Sequence, residues 1–399
     1  MNNLHRKFFF LLVVFLPSQI ALHFWPDWSL VLGIRVDYLA PTIYLTDIII
    51  FLLLVSWGKE HLKQFSAALR PKALVIIIFF LYLLLNSLFI AGNQGVAIYK
   101  LIKIIEFSLL GVYVSQNWLV LKQSFFKPAL VISLLYTILI SLMQFLTGKS
   151  IGGLLWFLGE RSFSLNTPGI ALFTIFGQDF LRPYGTFPHP NVLAGFLLVS
   201  LLLLSDKRVN YLVFIFISIL LAITYSQGIW LGWIVVIIFF VLQPKLLPGQ
   251  SRVLFNLFLL FIAIVNWVII SKHFFLDDSR KALLDLSLKM INKNLFTGMG
   301  LNNFISNLPH YSSGLNFVWI LQPAHNVFIL LTSEIGLIGM TFLVLFFIDL
   351  LKKIQSKDLY LKLIFLVILL TGSFDHYWIT LQQPQILAAL VVGIIYSEV

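Results

Sequence analysis

Three short polar islands break an otherwise apolar chain, and their residue types suit the handling of an anion beside a base. The first is Arg182-Pro-Tyr-Gly-Thr-Phe-Pro-His189-Pro190-Asn191, the second is Pro323-Ala-His325-Asn326, and the third is Asp375-His376. Arg280 stands between the first two, behind Asp277 and Asp278, and Ser226-Gln227-Gly228 marks a further turn. A planar guanidinium grips phosphate oxygens in pairs, so Arg182 and Arg280 suit a phosphate or diphosphate. The first two islands end where an apolar run begins, at helix N-termini whose free N–H groups and dipole attract anions. Asn191 and Asn326 are placed to cap or line those ends. His325 is the residue type that moves a proton near neutral pH. His189, Gln227, Asp375 and His376 join the set as substrate-binding groups.

Each residue also has a plainer role open to it. Pro183 restricts Arg182 to extended backbone, as in a loop anchored at lipid headgroups. Arg280 can pair with Asp277 on a solvated helix face. His189, flanked by prolines, reads equally well as structural, and Asp375-His376 as a tight turn. Lys100, Lys103 and Glu106 fall three apart on one apolar run and read as internal pairs or snorkelling lysines. Glu334 lies about 13 Å along its helix from His325, too far to orient it directly.

The elements that must position these groups are membrane helices. Apolar residues make up 60% of 399 and charged residues 11%, with a mean hydropathy of +0.97, too little charge to cover a soluble exterior. Apolar runs of about 17–25 residues can each cross about 30 Å of hydrocarbon. The spacing predicts an all-α polytopic protein with about twelve spans. They fall near 8–25, 42–57, 72–91, 97–116, 127–147, 190–205, 208–225, 228–243, 253–271, 326–351, 359–374 and 381–397. Arg6 and Lys7 open the first span, read as an uncleaved signal anchor. Lys59, Lys63, Arg70, Lys72, Lys207, Arg208, Lys245, Arg252, Lys352, Lys353 and Lys357 gather on one set of short loops. The positive-inside rule then puts both termini in the cytoplasm.

Residues 1–399 form a single membrane domain on this reading, with outward connections at 148–189 and 272–324. Within the second, Leu284, Leu288 and Ile291 are spaced as an apolar stripe along Ser279–Asn294, which predicts an amphipathic helix on the outer face, capped by Asp277 and Asp278. Gly298-Met-Gly300 ends it. The net charge of +11 is spread over loops rather than massed on one surface, which argues against nucleic acid as a partner. Without cysteine, disulfides and Cys-based zinc sites are excluded.

The three motif blocks resemble those of the O-antigen ligase and polymerase superfamily. The first is Arg182…Gly185-Thr186-Phe187…Pro190-Asn191…Ala194-Gly195. The second is Ser279-Arg280 with Asn294-Leu-Phe-Thr-Gly298-Met-Gly300-Leu-Asn-Asn-Phe304, and the third is His325-Asn326-Val-Phe-Ile-Leu with Glu334-Ile-Gly336-Leu-Ile-Gly339. The common core covers roughly residues 170–375. The resemblance implies a glycosyltransferase using a polyprenyl diphosphate-linked glycan at the outer face of the bacterial cytoplasmic membrane. Its acceptor is a lipid, glycan or protein, and it needs no metal and no cofactor. By motif position, Arg182, Arg280 and His325 are the functionally essential residues. Two departures stand out: Ser226-Gln227 where the family often carries Ser-Arg, and Leu295-Phe296 where a proline is usual.

A ligase moves a finished glycan onto an acceptor, whereas a polymerase joins repeat units on the carrier; the His325-Asn326 block favours the ligase. A transporter or lipid flippase is the competing class. It predicts charges deep in several spans and internal symmetry, and the chain has little of either.

Overall fold

The computed structural model describes residues 4–69, 73–205, 211–242, 250–272, 277–312 and 320–397. The predicted loop cations Arg70, Lys72, Lys207, Arg208 and Lys245 lie outside the described residues, as do 273–276 and 313–319 of the longer connection. Among the described residues the fold is all-α, apart from three two-stranded hairpins in the connections. The helices are α1 (Leu4–Val14), α2 (Leu45–Leu69), α3 (Ala73–Leu85), α4 (Gln94–Leu121), α5 (Lys127–Thr147), α6 (Pro190–Leu204), α7 (Tyr211–Ile223) and α8 (Gln227–Leu242). They continue with α9 (Gln250–Lys272), α10 (Asp278–Lys293), α11 (Phe304–Tyr311), α12 (Val327–Gln355), α13 (Leu359–Gly372), α14 (Tyr377–Thr380) and α15 (Gln382–Tyr396). Helices satisfy their backbone groups internally, which is what an apolar chain without water requires.

Three apolar stretches, Gln94–Thr147, Val253–Ser271 and Val327–Gln355, are long enough to cross a bilayer. Six shorter apolar helices accompany them. The expected twelve spans exceed what length and apolarity alone pick out among the described residues. Two expectations change in detail. The first span, expected at 8–25, is α1 alone, because Pro17 has no N–H with which to extend it and residues 21–23 leave as a strand. Spans 97–116 and 127–147 form one helical run of 54 residues, Gln94–Thr147, which passes through a π turn at Lys122–Phe126 instead of the expected loop. No glycine or proline interrupts the turn, and Pro128 falls where a first-turn proline is tolerated.

The main core gathers α6 and α13 at its centre, with α1, α4, α5, α8 and α15 around them. Gly195 lets α14 close on α6, since a Cβ there would stand 2.7 Å from the Tyr377 hydroxyl.

The Gly298-Met-Gly300 and Gly336 motifs explain one another. Helix α12 breaks at Gly336, whose φ of +58° is left-handed. The N–H groups of Met299 and Gly300 donate to the carbonyls of Ser333 and Glu334 at 2.8 and 3.0 Å. In return Leu337 and Ile338 donate to the carbonyls of Leu295 and Phe296 at 2.9 and 3.1 Å. The broken helix thus recovers its backbone hydrogen bonds from one loop, the condition for irregular backbone among apolar helices. Only glycines fit the crossing: a Cβ on Gly336 would meet the Phe296 carbonyl at 2.3 Å.

Candidate active site

Each candidate is held by a different element. A hairpin of Leu172–Ile175 with Gln178–Leu181 delivers Arg182, whose N–H continues the ladder to the Ala171 carbonyl at 3.1 Å. The buried amide of Gln144 on α5 then pins the following turn. Its Oε1 accepts from the N–H of Tyr184 and Gly185 at 3.0 and 2.8 Å, and its Nε2 donates to the Gly185 carbonyl at 2.8 Å. Arg280 rides on the first turn of α10, where Asp277 is the N-cap, accepting from the Arg280 N–H at 2.8 Å. Leu283, Leu284, Leu286, Met290 and Ile291 are buried along α10, a wider stripe than the spacing predicted. His325 stands just before Asn326, the N-cap of α12, and Asp375-His376 occupies the turn after α13.

A relay of polar contacts joins these segments. The Arg182 guanidinium donates from Nε to the Thr224 carbonyl and from Nη2 to Asn191 Oδ1, both at 2.6 Å. Asn191 Nδ2 donates to Asp375 Oδ2 at 2.9 Å. The other carboxylate oxygen accepts from the His376 N–H at 2.8 Å and stands 3.5 Å from His325 Nδ1 and 3.8 Å from His376 Nε2. The His325 contact is one of charge and proximity: Nδ1 is buried without a hydrogen-bond partner. Two of the five guanidinium N–H groups of Arg182 are spent on this scaffold, leaving three for a ligand.

Two cavities meet at this relay. The smaller, about 470 Å³, is lined by Arg182, Ser226, Gln227, Arg280 and the apolar Ile229, Leu231 and Phe374. The larger, about 720 Å³, is lined by His325, His376 and Arg280 and by aromatic residues such as Tyr38, Tyr44, Tyr99 and Trp156. Asn191, Arg280, Asp375 and Tyr377 border both. Arg182, Arg280 and His325 therefore converge on two adjoining cavities with a common wall, rather than on a single one.

The remaining candidates divide. His189 caps α6, its Nδ1 accepting from the Asn191 N–H at 3.1 Å, and it also borders the larger cavity. Asn326 caps α12, accepting from the N–H of Phe328 and Ile329 at 3.0 and 3.1 Å, and donates to Asn266 and to the Ser373 carbonyl. Asn326 lines neither cavity, so its observed role is to brace α12 against α9 and α13. Lys103 pairs with Asp47 and with Glu106 at 3.4 Å, as expected of internal pairs. Arg280 Nε stands 3.4 Å from Asp277 Oδ2, so the surface pairing and the cavity position coexist.

Electrostatics follow from burial. Burial alone would raise the Asp375 carboxyl, but contact with His325, the proximity of His376 and the Arg280 charge hold it well below the usual carboxylate range. Burial pushes His376 down to about 3 and His189 down to about 4, so both rings are neutral at pH 7. Burial also lowers Arg182 from its ordinary value, within the range where guanidinium stays charged. The site thus offers two cations, one carboxylate and neutral imidazoles.

Sequence reasoning did not find Tyr377, the Thr224 carbonyl or the aromatic lining. The adjacency of Tyr377-Trp378 to Asp375-His376 was the available signal for the first; a backbone carbonyl leaves none. Likewise the convergence of His325, Asp375 and His376, whose ligand atoms lie within 4.8 Å of one another, spans about fifty residues and has no short-range spacing.

No curated protein matches the sequence. Residues 193–344, which carry α6 from its first turn and the second and third motif blocks, match the family model described as O-antigen ligase, and this supports membership of the O-antigen ligase and polymerase superfamily.

Proposed function

We propose that the chain is a bacterial inner-membrane glycosyltransferase of the ligase type. It moves a glycan from a polyprenyl diphosphate carrier to an acceptor hydroxyl at the outer face. The carrying observation is the common wall: two guanidinium groups on one cavity, a histidine on the next, and Asp375 with Asn191 between. The smaller cavity takes the donor diphosphate. Arg182 and Arg280 grip its oxygens, Gln227 adds a neutral hydrogen bond, and Ile229, Leu231 and Phe374 receive the start of the lipid. The larger cavity takes the acceptor, with aromatic faces for its sugar or lipid portion.

In the reaction the acceptor oxygen attacks the anomeric carbon. The C–O bond to the diphosphate breaks as the new glycosidic bond forms, and a single displacement inverts the configuration. His325 takes the acceptor proton through Nε2, because Nδ1 faces Asp375. The two arginines offset the charge that grows on the leaving diphosphate, the electrostatic share of catalysis. The residues named need no metal or nucleotide for this sequence of steps.

A repeat-unit polymerase would use the same machinery, and the size of the larger cavity suits a glycan acceptor still on its carrier. The test is incubation of purified protein with lipid-linked glycan and candidate acceptors, following carrier diphosphate release and product mass. A ladder growing on the carrier assigns polymerase; a single transferred glycan assigns ligase; no release in either case refutes both. A flippase reading gains nothing from these residues, which concentrate around one pair of adjoining cavities.

A further inference from the structure

The wall between the cavities carries a feature that glycosyl transfer does not use. His376 Nδ1 lies 2.7 Å from Thr380 Oγ1, and that hydroxyl donates its own proton to the His376 carbonyl at 3.1 Å. The hydroxyl must therefore accept, so Nδ1 carries the ring proton and Nε2 presents a lone pair. That lone pair faces Asp375 Oδ1 at 3.8 Å, with His325 Nδ1 on the same oxygen at 3.5 Å. Of these two ring nitrogens, His325 Nδ1 is buried without a hydrogen-bond partner, and it shares Asp375 Oδ1 with the His376 lone pair.

We propose that His325, Asp375 and His376 form an inhibitory site for a transition-metal dication of the Zn2+ class. Two imidazoles and one carboxylate, with an open position toward the cavity, are a zinc donor set. At bond lengths of 2.0–2.1 Å, the edges of a tetrahedral site are about 3.4 Å. Two of the three edges here, 3.5 and 3.8 Å, are already close to that value. The third, between the two imidazole nitrogens, lies within 4.8 Å and closes by a small rotation of the His325 ring. Thr380 is the outer-shell partner that fixes the His376 tautomer, as such partners do at metal sites. Hard cations such as Mg2+ prefer all-oxygen sites and are excluded. Arg280, bordering the same cavity, sets a limit on affinity through repulsion.

Inhibition follows from the tautomer and rests on the proposed function. A metal ion at Nδ1 confines the ring proton of His325 to Nε2. Nε2 then cannot accept the proton of an acceptor hydroxyl, and the carboxylate charge of Asp375 is spent on the ion.

Full-length protein, purified and stripped of metal with a chelator, is titrated with Co2+ alone. One Co2+ per chain with the intense visible absorbance of a four-coordinate site is expected, displaced by Zn2+. His376→Gln removes the absorbance, and Thr380→Val weakens Zn2+ binding about 10–100-fold. Thermal melting of each metal-free variant checks its folding; if His376→Gln does not fold, Thr380→Val decides. No visible band in the wild type, or a band unchanged in both variants, overturns the site. With lipid-linked glycan present, Zn2+ stops transfer and chelator restores it; saturation with Zn2+ at undiminished transfer overturns the inhibitory mechanism. Absence of transfer by metal-free wild type counts against the proposed function and leaves the spectroscopic result standing.

Discussion

Replacing Asp375 by Asn removes one charge and almost no volume, and it separates the two cavities by the sign of its effects. In the proposed mechanism His325 takes a proton and becomes a cation 3.5 Å from Asp375 Oδ1. At an effective dielectric of about 20 that pair is worth roughly 5 kcal/mol. Arg280 and the partly exposed His325 ring reduce this, so about half is a reasonable share, near 2–3 kcal/mol of transition-state stabilisation. The chemical step then slows about 30–150-fold, at 1.36 kcal/mol per factor of ten. On the donor side the same carboxylate faces an incoming diphosphate, and its loss leaves donor binding as tight as before or tighter. Single-turnover transfer at saturating donor gives the rate, and equilibrium binding of the lipid-linked donor gives the affinity. A slow step with intact or improved donor binding is expected. Asp375→Asn within threefold of wild type, or slowed only in proportion to lost donor binding, refutes the claim that Asp375 acts on His325.

Arg182→Lys keeps the charge but cannot reach both the Thr224 carbonyl and Asn191 Oδ1, so donor binding weakens about 10–100-fold in a carrier-binding titration. Gly336→Ala forces a side chain into left-handed backbone and to 2.3 Å from the Phe296 carbonyl; loss of folded protein in a detergent melting assay is expected, and normal melting contradicts the proposed stitch. His189 and His376 titrate lower in the folded chain than the ordinary 6.5, so the unfolded chain binds more protons on acidification. Stability therefore falls as pH drops from about 6.5 toward 4, by roughly 3 kcal/mol for a group shifted to about 4, with a maximal slope of about 1.4 kcal/mol per pH unit. His189→Asn, which keeps a cap acceptor, flattens that slope in melting curves run from pH 7 to 4.

Much of the candidate site was legible in the sequence because costly polar residues are conspicuous against apolar helices. Arg182, Arg280, His325, Asp375 and His376 were all singled out by type and position, and all meet around the two cavities. The Asp277 cap and the extent of α10 followed from local rules that act within one turn. Asn326 was misleading because an asparagine at a helix start caps and lines equally well on paper; only the fold shows its side chain committed to Asn266 and Ser373. The exchange of backbone bonds between the Gly298–Gly300 loop and the α12 break is long-range, so its glycines looked like simple helix stops. The end of α1 at Val14, ahead of Pro17, and the continuous α4–α5 run show where hydropathy alone fails. It measures apolarity, whereas a proline sets the first boundary and a π turn removes the second.

In the proposed mechanism His325 accepts the acceptor proton while Arg182 and Arg280 hold the diphosphate across a common wall. Its most direct measurement is carrier diphosphate release by purified His325→Ala and Arg280→Ala proteins beside wild type, with donor affinity measured on the same samples. Neither variant is expected to release carrier diphosphate, with donor affinity kept in His325→Ala and lost in Arg280→Ala. Near-normal release from His325→Ala, or equal donor affinity in all three proteins, contradicts that mechanism.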